Sequence, residues 1–353
     1  MLNKFKAGGK MIVASALWYA GYYKWRLVHA ARMPLILCYH RVREDEDRYA
    51  NTQASSAFER GISTTRFEAH VRFIRRYGNP ISTYQLAESL SKGEALPERS
   101  VAITFDDGYR DNYTLAFPIL KRYQVPATFF ICPALVESRS GYWWDDIYEL
   151  FRNTKEGTLN LDHVLGKTIK GVITGHDRLS LMTKADKLHV AQQTVDRFKD
   201  LDPHALSKSI SALREELGIS GGSNESPSAL LSWAEVREMS EHGMEFGSHT
   251  MSHPQLTRLR TSEVRAELAA SMAMLSEQLN QPVHGFAYPT GDYNESVQAL
   301  VRSAGYAYAC TMRHGFVEPR SDLYALRRVP LPDAGIPVSL RDLLLIWQKE
   351  HRV

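Results

Sequence analysis

Three short runs, "PLILCY" from Pro34, "VAITF" from Val101 and "VPATFFICP" from Val125, are apolar almost throughout. A strand with one face in water would alternate, so unbroken runs belong to strands covered on both faces. Between them the pattern changes period. "TTRFEAHVRFIRRYG" places apolar residues at Phe67, Val71, Phe73 and Ile74 and stops at Gly78, as an amphipathic helix does. A second helix is expected around Leu115 to Tyr123. Strand, helix and strand in succession imply parallel strands, because a parallel pair needs a long crossover.

The alternation resumes after residue 232. "SWAEVREMSEHG" and the segment from Ser262 to Asn280 read as helices, "MEFGSHT" and "VHGFAYPTG" as strands. A helix from Ser296 to Ser303 and two more strands, "YAYACTM" and "LYALRRVPL", follow. Repeated β/α units of this kind build either an α/β barrel or a doubly wound sheet. Residues 138–232 break the rhythm. "GYWWDDIYELFRN", "KADKLHVAQQTVDRFKDL" and "PHALSKSISALREELG" are helical in pattern and "SGGSNESPS" is a linker, so this stretch reads as a helical insertion. Residues 43–63 are polar enough for a surface loop, and a helix is expected over 336–353.

The amino terminus has its own character. Lys4, Lys6 and Lys10 precede "MIVASALWYAGYY", and Lys24, Arg26 and Arg32 follow it. The run is shorter than the roughly 20 residues of a membrane span, and no small-x-small cleavage site follows it. Residues 1–33 are therefore expected to form an aromatic-rich basic helix that lies at a membrane interface or packs on the domain. Net charge is +3, too little to call for a nucleic-acid partner. Cys38, Cys132 and Cys310 are scattered and odd in number, which suits buried free thiols better than a disulfide-built fold. These features lean toward a cytoplasmic or inner-membrane-associated protein, with the periplasm left open.

Chemistry concentrates in two places. "VAITFDDGYRDNY" ends a strand in Asp106 and Asp107 followed by Gly108. Successive strand side chains point to opposite faces, so the two carboxylates share a pocket only if the chain turns there; an ordinary Asp-Gly turn is the alternative. "FGSHTMSHPQL" sets His249 and His253 four apart just beyond a strand. Surface histidines would look the same, but Asp107 as a third donor completes a two-His, one-carboxylate set with positions left open, as in catalytic metal sites. Asp106 is then free to act as a base toward water.

"TFDDGY", "HTMSHP" and "FAYPTG", in that order, resemble the motifs of the metal-dependent polysaccharide deacetylases of carbohydrate esterase family 4, with their NodB homology domain. "CYHRV" upstream resembles the exopolysaccharide deacetylase branch. The resemblance covers roughly residues 34–137 and 233–335 and implies an irregular (β/α)7-type barrel over 34–335, interrupted by the helical insertion 138–232. It assigns Asp106 as general base, Asp107, His249 and His253 as ligands of a divalent metal (zinc, with Co2+ or Ni2+ as alternatives) and His40 as general acid. The backbone N–H of Thr290 would be the oxyanion donor. Many relatives carry Arg-x-Pro-Tyr where this chain has Ala287-Tyr288-Pro289-Thr290. Arg328, in "LRRVPL", is the candidate for the missing cation near Asp106, with Arg327 beside it as the competitor. Tyr109 and Tyr288 are expected to line a sugar groove, and Trp143 and Trp144 either flank its entrance or pack the insertion.

The implied activity is removal of acetyl groups from N-acetylhexosamine residues of a bacterial polysaccharide or lipid-linked glycan. Two other readings use the same residues: a metal-dependent amidohydrolase acting on a small non-carbohydrate amide, and a glycan-binding relative without catalysis.

Overall fold

In the computed structural model, which describes residues 33–45, 61–168, 178–219 and 230–331, the apolar runs become seven barrel strands. We number them β1 (Leu35–Tyr39), β2 (Ser100–Asp106), β3 (Ala127–Ile131), β4 (Glu245–Ser248), β5 (Gly285–Ala287), β6 (Tyr308–His314) and β7 (Leu326–Pro330). Neighbours in sequence are neighbours in space and all pairs are parallel. The cylinder closes where Leu37 of β1 pairs with Val329 of β7. Of the two architectures open to the sequence, the barrel is the one formed. It is irregular, because β6 reaches β7 through residues 315–325 with no intervening helix.

The two sides of the barrel wall belong to different clusters, to both of which every strand except β4 contributes. Leu37, Ile103, Phe105 and Phe129 pack outward against Phe67 and Val71 of the helix Thr64–Tyr77 and Leu268 of the helix Thr261–Leu279. Ile36, Ala102, Phe130 and Tyr308 fill the barrel with Leu86 and Ala87 of the helix Thr83–Lys92. That last helix is not among those expected from the sequence, although Ser82 and Gln85 supply a complete capping box at its start.

Residues 143–217 build a second, separate core around Ile147, Phe151, Phe198 and Leu213. Its four helices are Trp143–Asn153, Leu161–Thr168, Lys184–Phe198 and Pro203–Glu216, and an antiparallel ribbon pairs Thr158–Leu159 with Leu179–Ser180. The stretch expected to be helical thus also carries a short β ribbon. All three cysteines are buried and unbridged. Among the described residues no helix is long and apolar enough to cross a membrane. The expected amino-terminal helix up to residue 32, most of the 43–63 loop, the linker and the carboxy-terminal helix lie outside the described residues.

Candidate active site

The carboxylate pair sits where β2 ends. Asp106 is its last residue and keeps the inward parity of Ala102 and Thr104. Asp107 then turns to φ +75° and Gly108 to φ +69°, a left-handed pair that rotates the second carboxylate toward the same mouth. Gly108 is required twice over, since a Cβ there would lie 2.7 Å from Ile131 Cγ2 and the backbone is of the kind glycine favours. The turn is fixed from outside by Tyr142, whose hydroxyl donates to the Asp107 carbonyl at 2.7 Å, and by the Leu231 N–H, which donates to the Gly108 carbonyl.

His249 follows β4, and its N–H donates to the Ile131 carbonyl of β3. Its Nδ1 lies 2.8 Å from the Ala287 carbonyl, which only accepts. Nδ1 therefore carries the proton and the Nε2 lone pair points away, toward Asp107. Nε2 of His249 and Nε2 of His253 each stand 3.5 Å from Asp107 Oδ1, and the three donor atoms all lie within 4.8 Å of one another. Two ligands of a tetrahedral zinc with bonds of about 2.0–2.1 Å are separated by about 3.3–3.4 Å. The donor types and spacing fit a divalent ion. Burial alone would lower both imidazoles. His253, next to His249, is driven down to about 4, whereas the Asp107 contact and Asp106 hold His249 above its ordinary value.

Behind this triad lies a buried ion pair. Arg328 Nη1 donates to Asp106 Oδ1 at 2.7 Å and Nη2 to Oδ2 at 2.6 Å, a two-pronged contact with both groups almost fully buried. The fork is itself aimed by the Thr311 carbonyl, which accepts from Nε at 2.9 Å. Burial works against the Asp106 charge, but the guanidinium overrides it and holds the carboxyl well below the usual range. His40 leaves β1 beside it, half-buried, with its carbonyl held by Asn112 at 2.9 Å. A ring nitrogen of His40, the Cys38 thiol and an Asp106 oxygen fall within 4.8 Å of one another.

The sequence profile of the polysaccharide deacetylases matches residues 93–309, more than half of the chain. The chain belongs to the polysaccharide deacetylase family. YxkH of Bacillus subtilis (strain 168), itself named as a polysaccharide deacetylase, is 24% identical over 300 residues, spanning 85% of this chain and 71% of that protein. The poly-beta-1,6-N-acetyl-D-glucosamine N-deacetylase of Staphylococcus aureus (strain MRSA252) is 22% identical over 339 residues, 92% of this chain and 87% of the relative. Solved structures share the fold. Streptococcus pyogenes deacetylase PplD, in complex with acetate, superposes with a TM-score of 0.57 at 20% identity over 88% of this chain and 98% of its own. IcaB from Ammonifex degensii gives 0.54 at 18% identity over 90% and 97%.

Within this deacetylase the residues singled out in the sequence divide. Asp106, Asp107, His249, His253 and His40 meet at one barrel mouth, with Arg328 beneath them. Arg327 points outward and is exposed. Thr290, three residues past the end of β5, lies in left-handed backbone, φ +56°, with its side chain exposed. The groove-lining expectation for two tyrosines is corrected. Tyr288 shares the outward parity of Phe286 and is 0% exposed, stacked on Tyr293 with its hydroxyl on the Tyr324 carbonyl. Tyr109 is 3% exposed and donates to Asp145 beneath Trp144. The tryptophan pair is split: Trp143 packs on the insertion core, while half-buried Trp144 stacks on Tyr142 and sets its ring 5.0 Å from that of His253. Tyr142 was missed, and only its place one residue before that pair could have flagged it.

Proposed function

We propose that this deacetylase hydrolyses N-acetyl groups on hexosamine residues of a bacterial polysaccharide or lipid-linked glycan, with zinc as its metal and Co2+ or Ni2+ as working substitutes. One observation carries the reading: a two-His, one-Asp ligand set shares a barrel mouth with a second carboxylate held ionised by Arg328. A glycan-binding module has no need for a buried ionised base beside a metal set. The relatives named for poly-beta-1,6-N-acetyl-D-glucosamine support an aminosugar polymer as the substrate class.

Asp107, His249 and His253 would hold the metal, which when bound supplies Lewis acidity to the amide carbonyl and lowers the pKa of water toward about 7. The chain's own groups move the protons. Asp106, kept as a carboxylate by Arg328, accepts a proton as water attacks the acetyl carbon. In this reading the Thr290 N–H would donate to the developing oxyanion. His40 gives a proton to the amine nitrogen as the C–N bond breaks, leaving acetate and a free amine.

Acetate release from N-acetylglucosamine oligomers tests this in metal-loaded, chelated and Asp106→Asn protein. Release is expected from the loaded wild type alone, with the Asn variant slower by at least about 100-fold. Equal release after chelation, or from the Asn variant, would overturn the assignment.

A further inference from the structure

The loop carrying both histidines is strained and held from a distant helix. Thr250 and His253 adopt left-handed backbone, φ +65° and +64°, which is unfavourable for non-glycine residues and persists only where the surroundings impose it. The surroundings here converge on one carboxylate. Glu267 Oε2 accepts the backbone N–H of Met251 at 2.8 Å and of Ser252 at 3.0 Å, and Oε1 accepts the Ser252 hydroxyl at 2.8 Å. Met251 and Ser252 are the two residues between the strained pair, so Glu267 grips the middle of the His249–His253 span.

The grip has a rigid base. Glu267 stands on the helix Thr261–Leu279, next to Leu268, which is fully buried, and one turn from Ser271, whose hydroxyl meets that of Ser248 at 2.8 Å. The far side of the loop is tied as well. The Met251 carbonyl accepts the Ala134 N–H at 3.1 Å, and Thr250 Oγ1 accepts the His253 N–H at 2.9 Å. Glu267 touches none of Asp107, His249 or His253, and among the described residues no cation pairs with it, so its acceptor capacity goes to the loop.

We infer that Glu267 is a positioning residue for the metal centre: by fixing the Met251–Ser252 backbone it sets where the two imidazoles stand relative to Asp107. The inference rests on reading Asp107, His249 and His253 as metal ligands. Partners of this kind typically change metal affinity by about 10–100-fold when altered.

Two conservative variants of the full chain separate positioning from a mere effect of negative charge. Glu267→Gln keeps the reach: its carbonyl oxygen can accept both N–H groups and its amide can donate to Ser252. Glu267→Asp keeps the charge but withdraws the acceptor by one carbon–carbon bond, about 1.5 Å. Titration with Co2+, followed by visible absorption, should leave the Gln variant within about threefold of wild type and weaken the Asp variant by about tenfold or more, with an altered cobalt spectrum. A general charge effect gives the opposite order. An Asp variant that binds as tightly as wild type, or a Gln variant no better than Asp, overturns the inference. Wild-type protein that takes up no Co2+ overturns the metal reading itself, and this inference with it.

Discussion

Asp106 and Asp107 are adjacent in the chain yet face different partners, because a left-handed turn separates them. Asp106 stays in register with the barrel interior and meets Arg328, which is 0% exposed. Removing one partner of such a buried pair strands a charge, at about 3–5 kcal/mol. Arg328→Met should therefore lower the unfolding free energy by about that amount in urea titrations. Adding Asp106→Asn to the same chain removes the stranded charge and should recover part of the loss. A double variant whose loss equals the sum of the two single losses would show that the pair is not coupled. Strand parity separates the two arginines that the sequence left in competition: Leu326 and Arg328 share one face of β7, and Arg327 falls on the other. The same rule, applied past the end of β5, sends Tyr288 outward with Phe286, and proximity to the motif hid this. Glu267 left no trace in the spacing of residues. Its three bonds go to backbone and hydroxyl groups whose position depends on a loop conformation that periodicity does not encode.

Helices were read from the sequence where an apolar stripe ran for several turns, as in Thr64–Tyr77 and Lys184–Phe198. The two-residue strands of the ribbon are too short to establish a period of two. What the pattern of the insertion could not convey is its attachment. Its first helix, Trp143–Asn153, is tied to the barrel mouth by Tyr142 on the Asp107 carbonyl and by a chain from the Trp144 Nε1–H to Tyr109 to Asp145. This holds the Trp144 indole edge-on to His253 (interplanar angle 63°) and partly open to solvent. An aromatic surface fixed there can pack against a sugar ring, a contact of about 0.5–1.5 kcal/mol. Trp144→Ala should lower kcat/KM on N-acetylglucosamine oligomers by up to about tenfold, chiefly through KM, and Trp144→Phe should recover most of it. A loss confined to kcat, alike in both variants, would move the role of Trp144 from the substrate to His253.

Closure of the barrel was the global feature that local pattern left open. It depends on β1 pairing with β2 on one side and with β7 on the other, contacts separated by most of the chain. The same strand anchors the helix layer. Tyr39 of β1 lies with its ring 5.2 Å from Phe67 and 5.3 Å from Phe105, and its hydroxyl is hydrogen-bonded to His70 Nδ1 at 3.0 Å on the helix Thr64–Tyr77. Burial, and then the neighbouring Arg66, drive His70 down to about 4 from the ordinary 6.5. Because the folded value is the lower one, the unfolded chain binds the proton first. The stability contributed by neutral His70 is thus present above pH 6.5 and lost as the pH falls toward about 4. Between pH 7 and pH 5 the loss amounts to about 2 kcal/mol. Glutamine at this position accepts the Tyr39 hydroxyl without titrating. Urea unfolding of wild type and His70→Gln at both pH values should show the wild type losing about 2 kcal/mol more than the variant. If the two fall in parallel, His70 is protonated in the folded protein as easily as in the unfolded one, and the docking of this helix is not what acid weakens.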